Sequence, residues 1–161
     1  MRPLVTTIIL TACLAGCATT AKVDTPTAPV VKATTAVKTA DPTSLYARLG
    51  GKDAIKVVID DFVANVAGDK RINQFFKDVN IDRLKGLLVD QVCQATGGPC
   101  TYTGRTMKET HASLHITEAH FNALVGDLAK ALDKNKVKKT EKDELLSALG
   151  KMKGDIVTAK K

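Results

Sequence analysis

Three histidines lie close together in the second half of this 161-residue chain, at His111, His115 and His120. His111 and His115 are four positions apart, so on a continuous helix their imidazoles share one face. An H-x-x-x-H pair can bind zinc, but the glutamate of an HExxH motif is missing and no third carboxylate is clearly aimed there. For His115 and His120 we expect a surface or helix-capping role, and the surroundings of His111 must decide its function.

Cysteines are the second group of residues able to do chemistry. Cys93 and Cys100 are seven positions apart, in neither a CxxC nor a CxxCH arrangement. Cys93 closes a predicted helix and Cys100 follows a Gly-Gly-Pro turn, so a disulfide between them is geometrically feasible. We expect a structural disulfide that contributes ~2–3 kcal/mol, and the alternative is a redox or metal-binding pair.

The first 16 residues have the pattern of an export signal. Arg2 precedes an apolar run from Leu4 to about Ala15, which is shorter than the ~20 residues of a membrane-spanning helix. The run ends at Leu14-Ala15-Gly16-Cys17, which resembles a bacterial lipobox. We therefore expect lipidation at Cys17 and anchoring to a bacterial membrane, with the domain facing the periplasm. Ala18 after the cysteine points to the outer membrane. A plain signal peptide with cleavage nearby is the alternative.

Residues 17–43 are predicted to be the lipidated cysteine followed by a disordered tether. From 18 to 43 the chain contains eight Thr, six Ala and three Pro, with no aromatic, Leu or Ile. Such a segment cannot bury enough apolar surface to offset its conformational entropy. As a flexible coil it would span roughly 25–30 Å. The folded domain is therefore expected at residues 44–161.

The charge and composition disfavour a nucleic-acid partner. The net charge is +7, but cations alternate with acids along the chain and form no phosphate-binding stripe. Aromatic residues amount to only 4%, with no Trp, so a base-stacking platform is not expected.

Apolar residues of the domain recur with helical spacing throughout. The pattern predicts helices over 52–66, 81–96 and 118–134, the last capped by Thr117, and a final helix that Thr140 caps and that reaches Ile156. No alternating strand pattern occurs, so the domain is predicted to be all-α. Segment 97–117 is rich in Gly, Thr and charge, although it lies between two strongly apolar helices. A loosely structured stretch in this position is typical of a chain that surrounds a non-protein group.

Motifs spread over residues 44–157 resemble the group 1 truncated haemoglobins. They are Leu45-Tyr46, Leu49-Gly50-Gly51, Asp61-Phe62, Phe75-Phe76, Gly97-Gly98-Pro99, Tyr102-Thr103-Gly104-Arg105, Met107-Lys108, His111 and His120-Phe121. The resemblance implies a truncated globin, a two-over-two helical sandwich around one haem b. It also implies that His111 is the proximal iron ligand.

The other side chains that a haem requires are available in the sequence. A haem iron needs a neutral imidazole nitrogen within ~2 Å, and the second nitrogen should find an acceptor. Cations favour the propionates, and the candidates are Arg83, Arg105 and Lys108. Tyr102 is a further expected cofactor contact through its motif. Apolar walls are expected from Phe62, Phe76, Leu84, Leu88, Val92 and Val125.

The positions that face the gas in this family are apolar here. Members of the family often have a tyrosine on the second helix, and that position is Val63 here. The positions that face it are Leu84, Leu87 and Leu88. O2 bound to haem iron carries a partial negative charge on its outer atom. A hydrogen bond to such an acceptor is worth ~1.5–3 kcal/mol. Without a donor, O2 release is expected to be roughly 10- to 100-fold faster, with CO and NO affected less. Gln91 lies near this face, either as an inward donor or as a solvated side chain.

These features predict a haem-binding globin that reversibly binds a diatomic gas such as O2, NO or CO. One alternative is a NO dioxygenase or peroxidase-type enzyme, which would need an external reductant because the chain has no flavin or nicotinamide motif. A distal acid-base residue of the kind peroxidases use is not evident. The other alternative is a haem-free helical adaptor lipoprotein.

Overall fold

The computed structural model describes residues 40–159. Predictions for the export signal, Cys17 and most of the tether lie outside this range. No strand occurs within it, and none of its helices is both long and apolar enough to cross a bilayer. The helices are α1 Leu45–Arg48, α2 Gly51–Gly68, α3 Ile81–Ala95, α4 Met107–His111, α5 Glu118–Lys134, α6 Lys139–Gly150 and α7 Lys153–Ile156, with a 3₁₀ helix at Asn73–Phe76.

The helices pair in two layers. α2 packs against α3 and also against α5, while α5 packs against α6, and α1 contacts both α2 and α6. This is the pairing that a two-over-two sandwich requires. The buried face of α2 follows the predicted i, i+3, i+4 spacing, and its members are Ile55, Val58, Ile59, Phe62, Val63 and Val66.

α3 turns a different face to the core from the one predicted. The spacing placed Leu84, Leu87, Leu88, Val92 and Ala95 inward, but the buried residues are Val89, Val92 and Cys93. The prediction for Ala95 is wrong, because that residue is exposed, and the three leucines are only half-buried. Leu88 packs against the core from outside, while Leu84 and Leu87 do not belong to it and leave apolar surface on α3 for another contact.

The end of the chain forms two helices where one was predicted. α6 begins at Lys139 with Lys138 at its N-cap, so the prediction that Thr140 caps this helix is wrong. The helix stops at Gly150, where a glycine supplies no side-chain packing to continue it, and α7 follows. The break directs the chain after Met152 toward α4, against which α7 packs.

Thr117 caps α5 as predicted, and His120 shares that role. His120 N donates to Thr117 Oγ1 at 3.3 Å, and Thr117 N donates to His120 Nδ1 at 3.2 Å. The imidazole takes the place that Glu usually has in a capping box. His120 also contacts Phe75 edge-to-face, with ring centroids 5.0 Å apart.

Side-chain hydrogen bonds at residues 41–44 lead into α1. Asp41 Oδ1 accepts hydrogen bonds from Thr43 N and Oγ1, both at 2.7 Å. Ser44 then caps α1 by accepting from Ala47 N at 3.2 Å. These contacts set the direction in which the chain enters the domain.

Candidate cofactor site around His111

His111 is the last residue of α4 and is half-buried. Its Nδ1 lies 2.7 Å from Met107 O, one turn earlier in the same helix. A carbonyl oxygen can only accept, so Nδ1 carries the proton and Nε2 keeps a lone pair for a metal. The same bond fixes the orientation of the ring, as acceptors behind metal-binding histidines do.

α4 is held by side-chain bonds at its start and not by burial. The helix has five residues, none of them buried. Glu109 N donates to Thr106 Oγ1 at 3.2 Å, while Glu109 Oε2 accepts from Thr106 N at 3.1 Å and from Thr106 Oγ1 at 2.6 Å. These bonds, chiefly that from the Thr106 hydroxyl, lower the pKa of the Glu109 carboxyl. A helix this short needs further support from its neighbours.

The loop before α4 is joined to the end of α3 through Cys93 and Cys100. The structure pairs their sulfurs in a disulfide, with Cα atoms 5.7 Å apart. Gly98 passes between this bridge and α1, where a Cβ would lie 2.6 Å from both Cys93 Sγ and Tyr46 Cδ2. A glycine is the residue that permits so close an approach.

Tyr102 anchors the same loop. Its hydroxyl donates to Arg105 O at 2.9 Å, and its backbone N–H donates to Gln94 Oε1 at 2.6 Å. Burial raises the pKa of the Tyr102 hydroxyl. Tyr102 was expected to contact the cofactor, and the structure shows its hydroxyl in use to fix the backbone that leads into α4.

The predicted apolar wall residues divide into two groups. Phe62, Val63 and Val92 lie in the buried core, at 6%, 8% and 5% exposure, and half-buried Phe76 and Leu88 pack against it. The second group is Leu84, Leu87 and Val125, which are half-buried and belong neither to this core nor to the side chains packed on it. Apolar surface left in this way on α3 and α5 suits a large apolar group.

Gln91 joins elements that otherwise share little contact. α4 packs chiefly against α7. From α3, Gln91 Nε2 lies 3.4 Å from Met107 Sδ on α4 and 3.4 Å from Met152 Sδ before α7. Gln91 is half-buried, and its amide is directed toward these two sulfurs. Nothing in the sequence pattern pointed to the two methionine side chains as its partners.

The three candidate cations are all exposed at the surface. Arg83 lies on α3, Lys108 lies on α4, and Arg105 precedes α4 and donates from Nη2 to Glu109 O at 3.4 Å. Exposure at these positions agrees with a role at the rim of a site.

The remaining histidines have the surface and capping roles that were expected. His115 is exposed with a φ of 50°, and His120 belongs to the capping box of α5. Within residues 40–159 no group of three or more His, Cys, Asp and Glu side chains is arranged to hold a metal ion. His111 is half-buried with its Nδ1 bonded to Met107 O, and this imidazole together with the uncovered apolar side chains of α3 and α5 fits the chemistry of a haem.

Comparison with known proteins agrees with the all-helical two-over-two fold. The family model described as bacterial-like globin matches residues 44–158. A group 1 truncated haemoglobin from Mycolicibacterium paratuberculosis is 39% identical over 119 residues, covering 74% of this chain and 88% of that protein. The Fe(III) form of Tetrahymena pyriformis truncated haemoglobin has a TM-score of 0.69 and 28% identity, over 71% of this chain and 97% of that one. The 2/2 haemoglobin from Synechococcus sp. has a TM-score of 0.67 and 28% identity, over 71% and 98%.

Proposed function

This chain belongs to the bacterial-like globin family, within which it is a group 1 truncated haemoglobin, and we propose that it binds a diatomic gas reversibly and releases O2 rapidly. The expected family, two-over-two fold and haem cofactor are confirmed. Haem b supplies an iron that coordinates the gas. Its protein ligand is proposed to be His111, because Met107 O holds the proton on Nδ1 and leaves Nε2 available.

The observation that carries the proposal is the aliphatic character of the gas-facing positions. These are Val63, Leu84, Leu87 and Leu88. The nearby amide of Gln91 has two methionine sulfurs as acceptors, each 3.4 Å from Nε2. Because a hydrogen bond to a partly charged acceptor is worth ~1.5–3 kcal/mol, its loss raises the O2 release rate roughly 10- to 100-fold.

The test introduces a donor at one of these positions. Leu88→Gln places an amide on α3, and Leu88→Met is the matched control because methionine is apolar and close to leucine in volume and is unbranched like glutamine. We expect Leu88→Gln to slow O2 release about tenfold or more and to change CO release much less. Leu88→Met should leave both rates close to wild type. Stopped-flow displacement of each gas gives the rates, and equal O2 release from wild type and Leu88→Gln would refute the proposal.

An enzymatic role is less well supported by the same positions. Aliphatic side chains at Val63, Leu84, Leu87 and Leu88 provide no general acid or base for peroxide chemistry. Dioxygenation of NO would require a separate reductant. Consumption of NO by the ferrous protein with an added reductant measures that activity directly.

The proposed location is the periplasmic side of a bacterial membrane, most consistent with the outer membrane. It is supported by the lipobox-like residues that end at Cys17 and by the Thr-, Ala- and Pro-rich residues 18–43. Attached acyl chains contribute ~0.8 kcal/mol per buried CH₂ group. Cys17→Ser should move the protein from the membrane fraction to the soluble fraction, and its retention in the membrane would refute lipid anchoring.

A further inference from the structure

The C-terminal segment Met152–Ala159, called the C-terminal strap below, contacts the chain on both sides of His111. It comprises α7 with the residues directly before and after it. α7 packs against α4, the helix that carries His111. α4 has no buried residue of its own, and isolated helices of such length are unstable in water. The strap is therefore the main neighbouring element against which α4 can be held.

After His111, the strap is joined to the chain through Ile116. Thr158 N and Ala159 N both donate to Ile116 O at 3.0 Å, and Ile116 N donates to Thr158 Oγ1 at 3.2 Å. Ile116 is itself buried, at 7% exposure. These bonds fix the backbone five residues beyond His111, between α4 and α5.

Near the start of α5, Lys153 adds two contacts. Its ammonium forms an ion pair with Glu118. It also lies 5.9 Å from the centroid of the Phe121 ring, within the range of a cation–π contact. The strap is therefore tied to α5 as well as to the segment before it.

Before His111, the strap reaches α4 through Gln91. Gln91 Nε2 is 3.4 Å from Met152 Sδ in the strap and 3.4 Å from Met107 Sδ in α4. Met107 is also the residue whose carbonyl oxygen accepts from His111 Nδ1. A displacement of the strap thus acts on the residue that sets the orientation of the imidazole.

We propose that the C-terminal strap is a positioning element of the haem site. By holding Met107 and Ile116, it fixes the segment between them and so sets the orientation of the His111 ring and the rate of haem loss. The inference rests on His111 as the haem ligand and is independent of the proposed preference among gases.

Thr158→Pro in the full-length holoprotein tests this role. Proline removes one N–H donor to Ile116 O and the Thr158 hydroxyl together. The preceding Val157 has a ψ of 104°, which a following proline permits. Thr158→Ser is the matched control, since it keeps both the N–H and the hydroxyl. Loss of these hydrogen bonds should accelerate haem loss roughly tenfold.

Two readouts separate positioning from a purely structural role. The first is transfer of haemin to an excess of a haem-free acceptor globin, and the second is the iron–histidine stretching band of the ferrous protein. We expect Thr158→Pro to accelerate transfer and to shift or broaden the band, with Thr158→Ser like wild type. Wild-type values of both in Thr158→Pro would overturn the proposal. Faster transfer with an unchanged band would also overturn it, because the strap would then stabilise the fold without orienting His111.

If Thr158→Pro fails to fold, Met152→Leu carries the same test. Leucine keeps the apolar volume but removes the sulfur that accepts from Gln91. A shifted iron–histidine band supports the strap, and a wild-type band with wild-type haem transfer refutes it. His111→Ala, which should lack a Soret band, tests the underlying ligand assignment separately. Neither readout involves gas release, so a failure of the Leu88→Gln experiment does not bear on this result.

Discussion

The carbonyl oxygen of Met107 determines which nitrogen of His111 is available to a metal. The oxygen lies 2.7 Å from His111 Nδ1, and because a carbonyl can only accept, Nδ1 must carry the proton. The partner that fixes this tautomer is therefore an uncharged backbone group. A neutral acceptor leaves the imidazole less electron-rich than a carboxylate partner would. The ligand strength of His111 is therefore set by a backbone group whose position depends on α4.

Removal of this imidazole should abolish stable haem binding. His111→Ala is expected to purify without a Soret band, because it removes the imidazole whose Nδ1 bond to Met107 O leaves Nε2 available to the iron. Added imidazole should restore part of the band by occupying the space of the missing ring. His115→Asn is the control, since His115 is exposed with a φ of 50° and Asn tolerates that conformation. A Soret band of normal intensity in His111→Ala would contradict the assignment.

Substitution of alanine for Gly98 and for Gly86 should change the unfolding free energy in opposite directions. In Gly98→Ala the new Cβ would lie 2.6 Å from Cys93 Sγ and 2.7 Å from the Cys93 carbonyl oxygen, so we expect a loss of ~1–3 kcal/mol in unfolding free energy. Gly86 lies within α3, and a Cβ at this position would have no neighbouring atom within 4 Å outside the helix's own backbone, so Gly86→Ala should gain ~0.5–1 kcal/mol. Urea unfolding of both variants measures the difference. If Gly98→Ala stabilised the protein as much as Gly86→Ala, the neighbours of Gly98 would have moved aside without a loss of unfolding free energy.

At the level of elements, the Cys93–Cys100 bridge holds the loop before α4 against the end of α3. The two cysteines are seven positions apart. Closing a loop of this length is worth ~2–3 kcal/mol through the unfolded state. We expect the Cys93→Ala/Cys100→Ala double variant to lose about that much unfolding free energy relative to the oxidised wild type. Its unfolding free energy should equal that of the reduced wild-type protein. Urea midpoints with and without reductant test this, and no difference between oxidised and reduced wild type would contradict it.

The helices were largely predictable because their burial follows their own sequence periodicity. The pattern placed a helix at 52–66, and α2 extends from Gly51 to Gly68. Thr117 marked the start of α5 correctly through its side-chain oxygen. The end of the chain was harder, because Lys138 makes no side-chain cap bond. Local capping preference favoured Thr140, and the packing of the neighbouring Val137 against the core prevailed.

The site was predictable only in part. The residues around His111 carried the family resemblance, so that histidine stood out from the other two. The partners of Gln91 could not be found from spacing, because Met107 and Met152 are 16 and 61 positions away from it. Their meeting depends on the break after α6, which Gly150 alone did not predict because the apolar spacing continues through Met152 to Ile156. Long-range polar contacts between short elements are therefore the part that sequence periodicity leaves undetermined.

At the scale of the whole molecule, ion pairs between helices offset part of the repulsion expected from a net charge of +7. Asp61 on α2 accepts from Lys134 Nζ at 2.6 Å and from Asn135 Nδ2 at 2.8 Å, both at the end of α5. Asp60, also on α2, pairs with Lys85 Nζ on α3 at 2.9 Å. α2 is thus linked by carboxylates to both α3 and α5.

These carboxylates should make the fold sensitive to acid. Lys134, and then Asn135, lower the pKa of Asp61 below its ordinary value of 3.8. A depressed pKa in the folded state contributes stability that is present above the unfolded value and is lost as the pH falls through the folded one. Asp61→Asn should therefore be less stable than wild type at pH 7, and the difference should shrink as the pH falls below about 4.

The difference between variant and wild type at each pH is the quantity to measure, because contributions that the substitution does not change cancel in it. Asp78→Asn is the matched control, since Asp78 is an exposed carboxylate in the turn after the 3₁₀ helix, and the described residues give it no hydrogen bond or ion pair. Urea unfolding between pH 7 and pH 3 supplies the free energies. A difference for Asp61→Asn that stays constant over this range would mean that the link between α2 and α5 does not depend on the charge of Asp61.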